Sequence, residues 1–308
     1  MIAKKLRIGD TIGIISPSAV LTDKEDLITL TKAVAIMEEK GFKIVKGKYA
    51  FSNELGYGAS AIHKAEDLNE MFKNKDVKAI FAITGGENSI STLDYIDFES
   101  IKNNPKIICG FSDTTSILNV INEKTGLITF SGPSFKSIAS GETNYRIKAV
   151  IDRFLNNEKN LAYENDLDEF RIIRRGIAEG KLIGGNLSLT TDLISGKYKI
   201  NFKNKILCIE ELAFESNPEK VSHDLYKMKQ EGVFELISGI WIGNYEGNIE
   251  LEQILLDTIS DIKFEKPIIK SQNFGHAEKK IVIPIGAKAQ INTNDKKPYI
   301  KLIDNFLE

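Results

Sequence analysis

The amino-acid sequence predicts an α/β fold: an N-terminal parallel αβα sandwich followed by a smaller, β-rich C-terminal domain. Three observations lead there. In the first half, short apolar runs alternate with segments whose apolar residues recur at helical spacing. Strands separated by helices pair in parallel, because each connection must cross back over a face of the sheet. Beyond residue 176, strand-like runs outnumber helical ones.

The elements follow in order. Residues 11–16 (Thr-Ile-Gly-Ile-Ile-Ser) make a short buried strand that stops at Ser16-Pro17-Ser18. Leu27, Leu30, Val34 and Met37 form the stripe of a helix over 24–40, ended by Gly41. A strand over 42–45 and a helix over 62–72 come next. The run 77–84 is a strand ending at Gly85-Gly86, followed by a short helix over 88–95. Residues 106–109 form a strand that runs into Gly110-Phe111-Ser112-Asp113, with a helix over 114–124 and a last strand over 127–131. Polar residues 137–175 lack strand patterns and read as a linker with surface helices, the clearest over 145–155. This divides the chain into residues 1–140, a linker over 141–175, and 176–308. In the last part, strands are expected over 181–183, 206–209, 239–242, 280–285, 289–293 and 299–302, with helices over 218–229 and 252–259. Pro284 inside a strand pattern points to an edge strand or a bulge. Sites in parallel sheets lie at the carboxyl ends of the strands, here the regions of Ser16, Gly85 and Ser112.

Composition excludes several functions. Among 308 residues, 41 Lys and Arg face 43 Asp and Glu, a formal charge of −2. Nucleic acid and anionic membrane demand a basic excess, so neither is an expected partner. No apolar stretch approaches the roughly 18 residues of a membrane span. The N-terminal basic residues lead into Gly9-Asp10 rather than the apolar core of a secretory signal. The expected location is the cytoplasm. Two cysteines, Cys109 and Cys208, sit in apolar runs and read as buried thiols, too few for a disulfide framework. The three histidines, His63, His223 and His276, show no metal-ligand spacing. No metal and no cofactor are expected.

The sharpest local feature is Cys109-Gly110-Phe111-Ser112-Asp113-Thr114. A strand, a glycine turn and a serine before a helix make the geometry of a nucleophile elbow, which aims the hydroxyl outward beside the free N–H groups of the helix. The usual Gly-x-Ser-x-Gly pattern is broken at Thr114, and Ser112 or Asp113 could instead cap the helix. A serine nucleophile needs a base. His63 and His223 lie in helical patterns among charged residues, whereas His276 lies in the loop Asn273-Phe274-Gly275-His276-Ala277. A carboxylate to orient the imidazole is available where the strand 206–209 meets Glu210-Glu211, though both could be surface acids. Two oxyanion donors could come from the Asp113 amide and from Thr84-Gly85-Gly86-Glu87-Asn88. Gly184-Gly185-Asn186-Leu187-Ser188 is either a third lining loop or a turn. A different class fits the same chain, a non-catalytic two-domain protein that binds a small ligand; an amidotransferase-like enzyme would usually need a cysteine nucleophile, and Cys109 lies three positions early and inside a strand.

Taken together, these residues resemble the LD-carboxypeptidase family of serine peptidases, which includes murein tetrapeptide carboxypeptidases and microcin C self-immunity peptidases. The likeness runs through Gly9-Asp10-Thr11-Ile12-Gly13 with Ser16-Pro17, Ala65-Glu66-Asp67-Leu68-Asn69, Thr84-Gly85-Gly86-Glu87-Asn88-Ser89, Asn104-Pro105-Lys106, Gly110-Phe111-Ser112-Asp113, Gly132-Pro133, Gly184-Gly185-Asn186-Leu187, Ile209-Glu210 and Gly275-His276. The Gly85-Gly86-x-Asn88-Ser89 form is nearer the microcin-immunity branch. The resemblance implies a triad of Ser112, Glu210 and His276. It implies oxyanion donors at Gly85 and Asp113, and substrate contacts at Gly86, Asn88 and Asn186. Serine from the first domain would meet acid and base from the second in a cleft. The implied protein is a cytoplasmic homodimer that needs no metal and cleaves a small peptide or peptidyl-nucleotide through an acyl-enzyme. Tyr57 and Trp241 could stack on a base, although a lone tryptophan at a strand end more often packs in the core.

Overall fold

Five strands build the first sheet in parallel: β1 (Thr11–Ile15), β2 (Lys43–Lys46), β3 (Val77–Ala82), β4 (Ile107–Gly110) and β5 (Thr129–Ser131). Their spatial order is β2-β1-β3-β4-β5. The crossovers carry helices α1 (Lys24–Glu39), α2 (Ala61–Lys73), α3 (Phe98–Asn103) and α4 (Thr115–Thr125). In α1, Asp23 caps the first turn through Glu25 and Asp26 N–H, while Leu30, Ala33 and Met37 face the core. Because β1 has β2 on one side and β3 on the other, the connections leaving their carboxyl ends diverge, and a crevice opens there. The computed structural model describes residues 1–141, 143–159, 161, 170–212, 217–245, 247, 249–277 and 279–308.

The second sheet is mixed. It contains β6 (Arg171–Arg174), β7 (Ile177–Asn186), β8 (Lys205–Glu210), β9 (Gly239–Ile242) and β10 (Ile268–Lys270). Strands β7, β8, β9 and β10 run parallel, and β6 pairs antiparallel with β10. Strand β11 (Ile283–Ile285) does not join this sheet. It pairs antiparallel with β5, at the edge of the first sheet. Sequence had grouped this run with the second half. Its apolar alternation identified a strand but carried nothing about which sheet would receive it. Pro284, which cannot donate to a ladder, is tolerated at this edge. Strands β12 (Lys288–Asn292) and β13 (Tyr299–Leu302) then return to the far side of β7.

The helices of this half are α6 (Leu187–Thr191), α7 (Pro218–Gln230), α8 (Val233–Leu236) and α9 (Leu251–Thr258), preceded by α5 (Thr143–Phe154) in the expected linker. That stretch also holds β6, while residues 142, 160 and 162–169 lie outside the described residues. Helix α5 packs on the first sheet. Its Phe154 ring lies 5.9 Å from Phe81 of β3 and 4.9 Å from Phe130 of β5, both edge to face. Phe306 closes the same cluster, 6.3 Å from Phe130. The two halves are joined by hydrogen bonds as well. Asn119 of α4 donates to the Gly184 carbonyl and accepts from the Gly184 N–H, each at 2.9 Å. The helix behind the Ser112 turn is thereby held to the strand beside Glu210.

Candidate active site

Ser112 stands at the carboxyl end of β4 with φ 59°, in the left-handed region that residues with a Cβ seldom adopt. Such strain persists only where the surroundings impose it. Here Phe111 is fully extended before the turn, and the Thr114 hydroxyl donates to the Phe111 carbonyl at 2.8 Å. Thr114 therefore closes the turn at the position where the usual pattern has glycine.

His276 reaches Ser112 from the loop after β10. Its Nε2 lies 3.2 Å from Ser112 Oγ, and its Nδ1 lies 2.7 Å from Glu210 Oε2. With Nδ1–H donating to the carboxylate, Nε2 is left to accept from the hydroxyl. Glu210 is 2% exposed at the end of β8. Gly275, at φ +89°, lets the loop cross directly over Glu210, and a Cβ there would run into that side chain.

Glu211 is turned elsewhere. Its carboxylate accepts from Asn186 Nδ2 at 2.7 Å, Ser188 N at 3.0 Å, Ser188 Oγ at 2.6 Å and Leu212 N at 2.9 Å. Asn186 also uses Oδ1 to cap Leu189 N at the start of α6. Both ends of its amide are engaged within the protein, and the residue is 4% exposed.

The loops after β1, β2 and β3 form the other wall. Ser18, Ala19, Tyr57, Gly86, Glu87 and Asn88 line a cleft of about 440 Å³. Gly85 passes so near the elbow that a Cβ on it would lie 3.2 Å from Ser112 Cβ and 3.4 Å from Oγ. Asp113 is fully buried and ties these loops to the turn. Its Oδ2 accepts from the Ser18 hydroxyl and, at 2.7 Å, from Ser89 N, while its carbonyl accepts from Ser89 Oγ at 2.6 Å. Buried beneath Tyr57 lies Lys64, its ammonium 5.1 Å from the ring. Burial lowers the Lys64 pKa, and the Asp113 charge opposes that shift.

The structure thus brings together Ser112, Glu210, His276, Gly85 and Asp113, with Gly86 and Asn88 at the cleft. It does not bring the other histidines there: His63 stacks on Tyr49 at 3.9 Å and pairs with Glu54, and His223 is exposed on α7. Trp241 is buried in the second sheet, where Nε1 donates to Ser271 Oγ and the ring packs 4.7 Å from Phe274, so it cannot stack on a ligand base. Cys109 is buried within β4, three residues before Ser112, with its thiol pushed far up by desolvation, unlike an activated nucleophile. Sequence reasoning passed over Lys64, Ser89 and Lys280. Ser89 stood in a quoted motif, but both lysines sit among charged neighbours that read as solvated surface. Among the described residues, no cluster of three His, Cys, Asp or Glu could hold a metal ion, and no helix is long and apolar enough to cross a membrane.

Residues 12–132 match the profile of the LD-carboxypeptidase N-terminal domain and residues 179–291 that of the LD-carboxypeptidase C-terminal domain. The chain belongs to the LD-carboxypeptidase family. It is therefore a serine-type carboxypeptidase, a hydrolase. The "Probable murein peptide carboxypeptidase" of Bacillus subtilis is 32% identical to it, over 97% of this chain and 93% of that protein. The microcin C7 self-immunity protein MccF of Escherichia coli is 29% identical over 100% of this chain and 97% of its own. The structure of wild-type apo MccF superposes with a TM-score of 0.89 at 27% identity, covering 100% of both chains. An MccF complex with glutamyl sulfamoyl guanosine gives the same TM-score.

Proposed function

We propose that this LD-carboxypeptidase hydrolyses an amide bond at the C-terminal end of a small peptide substrate through a Ser112–His276–Glu210 triad. The observation that carries the proposal is the unbroken hydrogen-bonded line from the Glu210 carboxylate through the imidazole to the Ser112 hydroxyl. His276 Nε2 takes the hydroxyl proton as Oγ bonds to the scissile carbonyl carbon. The oxyanion is held by the Gly85 and Asp113 amides, and Glu210 stabilises the imidazolium. His276 then gives its proton to the leaving amine, the C–N bond breaks, and an acyl-enzyme remains. Water, deprotonated by His276, releases the acid and restores Ser112.

Gly86 and Asn88 contact substrate in this proposal. The engaged amide of Asn186 favours a supporting part for it, through Glu211 and α6, over direct contact. Residues 1–140 supply the nucleophile and 176–308 the acid and base, in a cytoplasmic homodimer. The B. subtilis relative points to a murein peptide, proposed here to be a tetrapeptide whose terminal D-amino acid is released from an L residue. MccF, with its aminoacyl sulfamoyl nucleoside complex, points to a peptidyl-nucleotide. The exposed Tyr57 at the cleft offers a ring to a base.

Purified protein incubated separately with a murein tetrapeptide and a peptidyl aminoacyl-nucleotide analogue should hydrolyse one of them, and Ser112→Ala should hydrolyse neither. Tight binding without turnover, indifferent to His276→Ala, would instead mark a ligand-binding protein and overturn the proposal.

A further inference from the structure

Lys280 is a buried ionisable side chain beside the triad to which the proposed reaction gives no part. It lies four residues after His276 and is 4% exposed. Its Nζ sits 3.4 Å from the centroid of the Phe111 ring. Phe111 directly precedes Ser112, and its ring lies 5.1 Å from the His276 imidazole, tilted by 58°. One aromatic ring therefore touches both the ammonium and the base, on the residue that sets the entry to the strained turn. Burial pulls the Lys280 pKa down to about 7. Arg146 of α5 acts in the same direction, while Glu210 of β8 and Cys109 of β4 oppose it. Burying an ammonium is unfavourable, and a leucine would fill this space without that penalty. A cation facing a ring is worth more once both are desolvated.

We infer that Lys280 is a positioning residue: its ammonium, seated on Phe111, fixes that ring against His276 and so holds the imidazole and the Ser112 turn in register. The inference rests on the triad proposed above. Lys280 touches neither substrate nor the reacting atoms; it acts through Phe111. The charge matters rather than the bulk, because only a cation draws the ring face toward it.

The test uses the full chain below pH 7, where Lys280 carries its proton, and a sulfonyl fluoride as the probe of Ser112. Labelling is followed by mass spectrometry. Lys280→Leu should slow sulfonylation of Ser112 roughly tenfold, a typical consequence of losing one desolvated cation–π contact. Its melting temperature should not fall, and Lys280→Arg should restore most of the rate. In a Phe111→Leu background the Lys280→Leu change should have no further effect, since the two residues act as one unit. Proton NMR supplies a readout independent of reactivity. The ring-current shift that Phe111 imposes on the His276 Hε1 should change in Lys280→Leu and persist in Lys280→Arg. An unchanged His276 signal in Lys280→Leu, labelling within twofold of wild type, or additive effects with Phe111→Leu would overturn the inference. Failure of the triad itself looks different: Ser112 would resist the reagent in the wild type, while the NMR comparison would still decide the part played by Lys280.

Discussion

Glu210 holds His276 twice through one oxygen: Oε2 accepts from the His276 backbone N–H at 3.0 Å and lies 2.7 Å from Nδ1. The carboxylate thus fixes the loop and the ring together, so imidazole orientation does not depend on side-chain packing alone. Glu211, next in sequence, anchors Asn186, Ser188 and Leu212 instead. The two acids should therefore fail differently when altered. Glu210→Gln should lower kcat roughly a thousandfold or more while the melting temperature barely moves. Glu211→Gln should destabilise the fold by about 2–4 kcal/mol, because its amide nitrogen would face groups that donate. Thermal melts alongside steady-state kinetics would separate the cases, and the opposite pattern would exchange their parts.

A methyl group at position 85 would press on the nucleophile. Its Cβ would lie 3.2 Å from Ser112 Cβ and 3.4 Å from Oγ. Gly85→Ala should reduce kcat by about 10²-fold through displacement of the oxyanion donor, with circular dichroism unchanged. Activity equal to wild type would remove Gly85 from the site.

Both cysteines should be inert in the folded protein. Cys109 and Cys208 are each 1% exposed, and desolvation pushes both thiols far up, so neither supplies thiolate near neutral pH. A chromogenic disulfide reagent should find no reactive thiol in the native chain and both after denaturation. Rapid modification of native Cys109 would contradict its burial.

Asp67 should make the protein less stable above about pH 6 than below it. Burial pushes its pKa from 3.8 to about 6, against hydrogen bonds from the Tyr49 and Lys48 backbone that act the other way. The folded state thus binds this proton more tightly than the unfolded chain. Its favourable contribution is complete below about pH 4 and is lost as pH rises through about 6. Asp67→Asn, which keeps an acceptor for Tyr49 N–H, should raise the melting temperature more at about pH 8 than at about pH 5. A gain independent of pH would show that Asp67 is ionised in the folded state throughout.

Much of this molecule could be read from local sequence. Alternating strand and helix patterns located β1 to β5 and helices α1, α2 and α4, but not the short α3, because side-chain period is a property of a few residues at a time and six residues carry little of it. The Ser112 turn was visible for the same reason, as a strand, a glycine and a serine within six positions. His276 stood out as the loop histidine beside Gly275. Other features depended on partners distant in the chain. Glu210 and Glu211 are adjacent and chemically identical, yet successive residues of a strand point to opposite sides, and only the packed structure decides which side meets His276. The apolar run ending in β11 reads as a strand in any protein, but its partner β5 lies about 150 residues away. Lys280 follows Glu278 and Lys279 and has every mark of solvated surface, until folding lays it against Phe111. The sequence alone determined most of the longer secondary elements and the reactive turn, since backbone period and turn chemistry are short-range; the short β6, β10, α3, α6 and α8 carry too little period to be read. Only the tertiary structure decided which acid meets the imidazole, which sheet receives β11 and which lysine is buried, because those outcomes depend on surfaces formed by segments that meet only after the two halves pack.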